Sequence, residues 1–262
     1  MIVKQIYTYN NYRNFNYLIA CPISREAIAI DPLAYDLCLK EAGNSGLKIV
    51  AIINTHEHMD HIGGNEYIMR KTGCKLYAHK NAKNKIPNID YGLSAGNILK
   101  FGKSIEIEVL DTPGHTMSHV CLLARGNQNS LFCGDTLFNA GVGNCHNGGN
   151  PTSLYNTFYE QLIKLEKNTK VYPGHDYLEN NLEFTLDLEP ENNDARELLL
   201  KSKSENFSTN YVSSLENELK INTFFRLKEN TIINAIKEKG EKLVNDSPKE
   251  IFLALRRLRN KW

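Results

Sequence analysis

Thr55-His56-Glu57-His58-Met59-Asp60-His61 places three imidazoles and two carboxylates in the six residues from His56 to His61. Directly upstream, Lys48-Ile49-Val50-Ala51-Ile52-Ile53-Asn54 is a short apolar run rich in β-branched residues, the pattern of a strand buried on both faces. The cluster is therefore expected in a loop at a strand's C-terminal end. His56 and His58 are two apart, and along extended chain alternate side chains point the same way. A helical pair of ligands needs instead the i, i+4 spacing of H-E-x-x-H. Glu57 then points away and is left out of the ligand set. Asp60 and His61 follow where the chain turns, so one loop can feed two metal ions. Solvated loop histidines are the alternative, but four potential ligands rarely crowd together without a metal.

Three further positions complete the set. His115 follows the apolar run 105–110, Asp135 follows 131–133, and His175 follows 170–172, each with Gly or Pro nearby to shape a turn. Ligand sites collect at such strand ends. Seven protein ligands are too many for one tetrahedral zinc and suit two ions sharing a carboxylate. The expected division puts His56, His58 and His115 on one ion and Asp60, His61 and His175 on the other, with Asp135 bridging. Two ions about 3.5–4 Å apart clamp the attacking and accepting oxygens of one reaction and make hydroxide available near neutral pH. The side chains thus predict hydrolysis without naming the bond cleaved.

Composition narrows the setting. With 262 residues, 41% hydrophobic and 23% charged, the chain has the make-up of a globular protein. A net charge of +1 argues against a nucleic-acid or membrane partner. No run approaches the length of a membrane span, and Met1 to Tyr7 alternates like a strand without a signal-peptide core. The six cysteines, Cys21, Cys38, Cys74, Cys121, Cys133 and Cys145, are scattered without a C-x-x-C pair. That fits reduced thiols and a cytoplasmic location.

Read along its length, the chain opens with strands at 2–8, 15–20 and 27–30, then a helix from Ala34 to Ala42 closed by Gly43. After the metal loop a helix is expected over Ile62 to Lys71, a strand at 75–78 and an irregular connection over 80–97. Strands follow at 98–101, 105–110, 120–124 and 131–133. A long loop occupies 139–151, a helix runs from Pro151 to about Lys167, and a last strand spans 170–172. Beyond residue 175 the periodicity is helical, at 179–188, 193–203, 231–239 and 248–259. The expected organisation is a β-rich α/β domain, residues 1–175, followed by a helical domain, residues 176–262.

His56-x-His58-x-Asp60-His61, with His115, Asp135 and His175 in this order, resembles the metallo-β-lactamase superfamily. The resemblance implies an αββα sandwich in the α/β class with a dinuclear site at one edge. Gly134-Asp135-Thr136-Leu137-Phe138, Pro173-Gly174-His175-Asp176-Tyr177, Asn180-Asn181-Leu182-Glu183-Phe184 and the basic end Leu255 to Trp262 resemble, more narrowly, glyoxalase II, the hydroxyacylglutathione hydrolases. That family implies two divalent ions (zinc, iron or manganese) and hydrolysis of S-D-lactoylglutathione to D-lactate and glutathione, the second step of methylglyoxal detoxification. It implies that Asp60 and Asp135 orient the attacking hydroxide. It further implies a C-terminal helical domain that binds substrate, with Tyr177, Arg256 and Arg259 at the matching positions. In the loop Gly141 to His146, Asn144 stands where relatives typically carry a basic residue and His146 where they carry an aromatic one. Losing that cation removes a charge-assisted contact of roughly 1.5–3 kcal/mol, so the thiol carrier is the open point of the resemblance. His119 is expected to support the site rather than ligate. The competing expectation is a persulfide dioxygenase using one iron. A monomer with a small-molecule thioester as its only partner is the simplest assembly.

Overall fold

The computed structural model describes residues 1–204 and 207–262. The chain divides into two compact units, neither of them one unbroken run of sequence. Met1–Thr112, Ser118–Gly134 and Tyr172–His175 make the first; Pro113–Met117, Asp135–Val171 and Asp176–Trp262 make the second. The last crossing, between His175 and Asp176, falls where the helical texture of the sequence begins. The earlier crossings lie inside what reads as one domain in sequence.

The first unit is built on two sheets. In one, β1 (Ile2–Tyr7), β2 (Phe15–Ala20), β3 (Glu26–Ile30), β4 (Lys48–Ile53), β5 (Lys75–His79) and β6 (Tyr91–Leu93) lie in chain order. β1, β2 and β3 pair antiparallel, whereas β3 to β6 pair parallel. Parallel neighbours require a crossover. The first carries α1 (Tyr35–Asn44) and the second α2 (Met59–Ile62) and α3 (Asn65–Thr72). The other sheet runs antiparallel through β7 (Ile98–Phe101), β8 (Ile105–Asp111), β9 (Val120–Arg125) and β10 (Ser130–Gly134).

Alternation along the strands explains the packing. Phe15, Tyr17, Ile19, Ile28, Ile30 and Ile53 share one core with Ile107, Val109, Val120, Leu122 and Phe132 of the second sheet. The intervening Leu18, Ala20, Ala27, Ala29 and Ile52 share another with Cys38 of α1 and Ile68 of α3. Strands of the first sheet are thus apolar on both faces, which is why β2 and β4 read as continuous runs. In β8, Glu106 and Glu108 alternate with buried Ile105, Ile107 and Val109, the pattern of a strand with one apolar face.

Three elements depart from the sequence expectation. The helix expected over Ile62 to Lys71 is two helices broken at Gly63-Gly64. A Cβ at Gly64 would lie 1.8 Å from the carbonyl oxygen of Pro32, so the chain presses there against the turn after β3. α1 continues through Gly43 to Asn44, and the left-handed residue that follows is Gly46, at φ 61°. The connection over 80–97 contains β6, a three-residue strand whose register on β5 comes from Tyr77, Ala78 and His79 rather than from any apolar pattern of its own.

The second unit holds the hairpin β11 (Leu137–Phe138) and β12 (Gly141–Val142), α4 (Pro151–Glu160), the start of β13 (Lys170–Pro173), α5 (Leu178–Leu188) and α6 (Asn193–Ser202). Then follow α7 (Phe207–Asn210), β14 (Ser213–Ser214), α8 (Leu215–Ile221), α9 (Asn230–Glu238) and α10 (Pro248–Lys261). β13 pairs with β14 through Lys170 and Val171, and its last two residues enter the first unit beside β10. The loop expected over 139–151 therefore contains β12, and α4 stops at Glu160 rather than near Lys167. Its start is as the sequence indicates: Asn150 accepts from the Ser153 amide, with Pro151 in the first turn. Ser247, Pro248 and Glu250 open α10 the same way. Leu178, Leu182, Ala195 and Ile221 form one core with Ala140.

A fully buried carboxylate pins the β11–β12 turn. Glu218 of α8 accepts from the Ala140 amide at 2.9 Å, from Asn222 Nδ2 at 3.0 Å and from Ser213 Oγ at 2.6 Å. Burial raises its pKa to about 7 against the lowering effect of these three donors.

Candidate metal centre

The first unit gathers five of the expected ligands at the ends of its strands. β3 ends at Ile30, and Asp31 follows in the left-handed region at φ 47° with its carboxylate buried. Asp31 accepts from the Thr55 amide at 2.8 Å and the Thr55 hydroxyl at 2.5 Å, and Oδ2 lies 3.0 Å from His61 Nδ1. Thr55 Oγ1 in turn lies 3.0 Å from His56 Nδ1. These contacts fix two tautomers. A carboxylate only accepts, so His61 Nδ1 carries the proton. The Thr55 proton is committed to Asp31, so Thr55 accepts from His56 Nδ1–H. Both rings are therefore engaged through Nδ1 and turn Nε2 toward the neighbouring histidines.

His175, at the end of β13, is fixed the same way. Its Nδ1 donates to the Tyr12 carbonyl at 2.7 Å, which turns Nε2 toward His61. The Nε2 atoms of His61 and His175 face each other at 3.1 Å. Asp60 Oδ2 lies 3.7 Å from the first and 3.4 Å from the second. A cation between them would be held by both nitrogens and by Asp60. The spacings bracket ~3.3 Å, the edge of a tetrahedron with Zn–N distances of ~2.0–2.1 Å. Asp60, His61 and His175 thus fit one ion. Asn14 Nδ2 steadies Asp60, donating to its carbonyl and to Oδ2 at 3.1 Å each.

His56 and His58 form a second pair, with Nε2 of His56 3.1 Å from Nδ1 of His58. His58 is extended at ψ 145° and ends the loop, and Met59 begins α2. His56 lies in the bend before the extended His58, and Asp60 and His61 lie in the one-turn helix α2 rather than in a plain loop. Glu57 points away, pairing with Lys85 and accepting from Ser118 Oγ at 3.0 Å. His119 packs on the His56 ring at 5.1 Å with 19° between planes, and its Nδ1 lies 3.0 Å from Thr112 Oγ1. His79 caps a turn by accepting from the Asn81 amide at 3.1 Å.

The second unit carries the other two ligands. His115 Nδ1 donates to the Asn144 carbonyl at 2.7 Å, so this ring too turns Nε2 away from its anchor. That atom lies 3.5 Å from Asp135 Oδ2. Gly143 packs onto both residues: a Cβ there would lie 1.9 Å from the Asp135 carbonyl oxygen and 3.0 Å from His115 Nδ1.

Of the expected substrate contacts, Tyr177 is half-buried, edge-on to Phe138 at 5.1 Å. Arg259 lies over the rings of Phe184 and Trp262 at 5.6 and 5.1 Å, and its Nη2 donates to Asn181 Oδ1 at 3.3 Å. Asn144 and His146 are exposed. Arg256 binds backbone in this structure. It is 4% exposed, its Nη1 donates to the carbonyls of Val142 and Gly143 at 3.0 and 3.1 Å, and its Nε donates to Asn260 at 3.0 Å. Burial pulls its pKa down to about 10.

A family model described as the metallo-beta-lactamase superfamily matches residues 20–175, and one described as the hydroxyacylglutathione hydrolase C-terminus matches residues 176–262. The chain belongs to the hydroxyacylglutathione hydrolase family. A hydroxyacylglutathione hydrolase of Nitrosococcus oceani is 56% identical over 263 residues, covering 100% of both chains. One of Polaromonas sp. is 49% identical, again over 100% of both. Among solved structures, ETHE1 from Myxococcus xanthus has a TM-score of 0.68 and 25% identity, over 99% of this chain and 98% of that one.

For this member of the hydroxyacylglutathione hydrolase family, sequence reasoning missed Asp31, Thr55 and Asn14. In sequence, Asp31-Pro32 reads only as the end of a strand. Its partners Thr55 and His61 lie 24 and 30 residues away, and only the pairing of β3 with β4 brings them together. Gly134 was readable as a turn, but its reason is tertiary. At φ 45°, a Cβ would meet Thr55 Oγ1 at 2.4 Å and His119 Nε2 at 2.8 Å.

Proposed function

We propose that this chain is a metal-dependent thioesterase that hydrolyses S-D-lactoylglutathione to D-lactate and glutathione. The observation that carries the reading is the set of four imidazoles, His56, His61, His115 and His175, each engaged through Nδ1 so that Nε2 is the nitrogen left for a metal, in a chain matching hydroxyacylglutathione hydrolases end to end. His56, His58 and His115 are assigned to one divalent ion, Asp60, His61 and His175 to the other, and Asp135 to both. Zinc suits this nitrogen–oxygen donor set, and iron or manganese are the other candidates. When bound, the ions supply ionised water near neutral pH and a Lewis acid for the carbonyl oxygen.

The chain's own residues do the rest. Asp60 and Asp135 orient the attacking oxygen and accept its proton. Asp31, through His61 directly and His56 by way of Thr55, holds ligand lone pairs in place so that no reorganisation accompanies reaction. Tyr177 and Arg259 hold the carboxylates and backbone of glutathione, with Asn144 and His146 flanking the thiol carrier. The departing thiolate is a good leaving group and needs no strong general acid. Residues 1–175 then serve as the metal-bearing domain and 176–262 as the substrate-binding one. The six cysteines, all in the thiol form, support a reducing, cytoplasmic setting. Among the described residues no helix is long and apolar enough to cross a membrane. The reading takes the working unit as a monomer.

The one-iron persulfide dioxygenase is less supported. Both full-length relatives carry the hydrolase name, and Asp60, His61 and His175 offer a complete second set of donors within 4.8 Å of one another. The test is turnover of S-D-lactoylglutathione by metal-analysed protein, beside the same acyl group on other thiols. Hydrolysis that disappears in Asp135→Ala together with one equivalent of metal supports the reading. Inactivity of fully metallated protein on every thioester, with oxygen uptake on glutathione persulfide, overturns it.

A further inference from the structure

The guanidinium of Arg256 is the most deeply buried cation of α10, yet it faces backbone rather than a carboxylate. Nη1 spans the carbonyls of Val142 and Gly143, and the plane lies 5.7 Å from the Phe224 ring centroid. The next residue, Asn144, supplies the carbonyl that receives His115 Nδ1–H at 2.7 Å. Between them Gly143 lies flat on the Asp135 backbone, where not even a Cβ fits, and its amide donates to Thr136 at 3.4 Å. The 142–144 segment has little secondary structure to hold it: β12 is two residues long and ends at Val142. What fixes the Asn144 carbonyl is therefore the anchor on the two carbonyls before it.

We propose that Arg256 is a positioning residue for the metal ligand His115: by clamping the Val142 and Gly143 carbonyls it sets the Asn144 carbonyl that keeps His115 in its Nδ1–H tautomer, with Nε2 toward the ion. The proposal rests on the reading of His115 as a ligand. It gives the C-terminal helix a part in metal binding as well as in holding substrate. A ring whose Nδ1 partner drifts populates the Nε2–H tautomer, which has no lone pair at Nε2. Loss of such supporting partners typically weakens metal binding about 10- to 100-fold.

Full-length apo-protein is titrated with Co2+, and long-range 15N–1H NMR reads the His115 tautomer in the same samples. Wild type is expected to show Nδ1–H for His115, and Arg256→Met a mixture of tautomers with one Co2+ bound about 10- to 100-fold more weakly. Arg256→Lys, which keeps charge and donors without the planar fork, is expected to lose several-fold. Arg257→Met, the adjacent cation paired with Glu241, is expected to match wild type. Arg256→Met with wild-type Co2+ affinity and tautomer, and only a raised KM, overturns the proposal and makes Arg256 a substrate contact. If Arg256→Met fails to fold, Arg256→Lys decides: a several-fold loss with a shifted tautomer supports the proposal, and wild-type values overturn it. Both readouts work without substrate. A wild type that binds two Co2+ ions and hydrolyses no thioester removes the proposed reaction and leaves the Arg256–His115 coupling standing.

Discussion

His61 and His115 present the same atom by different means. In the first unit, Nδ1 of His61 is held by a buried carboxylate that also anchors Thr55 and, through it, His56. In the second, Nδ1 of His115 is held by one backbone carbonyl in a glycine-bearing loop. A charged acceptor shared between two rings is both stronger and stiffer than a neutral one on a short loop. The first unit's candidate ligands sit at sheet ends; the second unit's sit by a loop that, on the proposal above, a side chain of the C-terminal helix fixes. A rigid half and a tunable half is the lesson of the difference.

The largest expected effect attacks the rigid half. Asp31→Ala removes the acceptor of His61 and the end of the His56 relay and strands the buried Thr55 amide. Metal affinity is expected to fall about 100-fold or more, with a stability loss on the order of 3 kcal/mol. Metal titration and denaturant unfolding check it, and retention of both ions within a few-fold would erase the contrast between the halves.

The next concerns the buried anchor of the second unit. Burial raises the folded pKa of Glu218 from the ordinary 4.5 to about 7, so between those values the folded state holds a proton that the unfolded state has released. Stability therefore declines as pH rises through that window, by up to roughly 3 kcal/mol, and is level above it. Glu218→Gln is expected to flatten that decline while keeping the Ala140 contact, measured as unfolding free energy from pH 4.5 to 8. A wild-type stability that rises across the same range would contradict the assignment.

Smaller effects belong to the substrate residues. Arg259→Ala is expected to raise KM for S-D-lactoylglutathione about 10- to 100-fold with kcat and metal content little changed; a fall in kcat at constant KM would move Arg259 into the metal-supporting half. The smallest expected change is a gain. Asn144→Lys adds a cation at the exposed tip of the tunable loop and should lower KM by a few-fold up to about tenfold. An unchanged KM would show that Asn144 lies away from bound substrate.

Much of the centre was legible from the chain because its donors lie close in sequence or at strand ends with turn residues beside them. His56, His58, Asp60 and His61 needed only spacing and the apolar run before them. Asp31 was not legible, since a strand-ending Asp-Pro has many uses and its partners lie across a parallel crossover. β6 and β14 escaped because such short strands take their register from neighbours. The interleaving of the two units escaped because proximity in sequence suggests one domain where the contacts make two.

The sequence by itself determined the αβ character, the helical C-terminal region, the candidate donors and their family, because periodicity and ligand spacing are local properties of the chain. Tertiary structure alone decided that His61, His115 and His175 are engaged through Nδ1 and that Arg256 faces backbone, because both follow from hydrogen bonds between residues 29 to 163 positions apart.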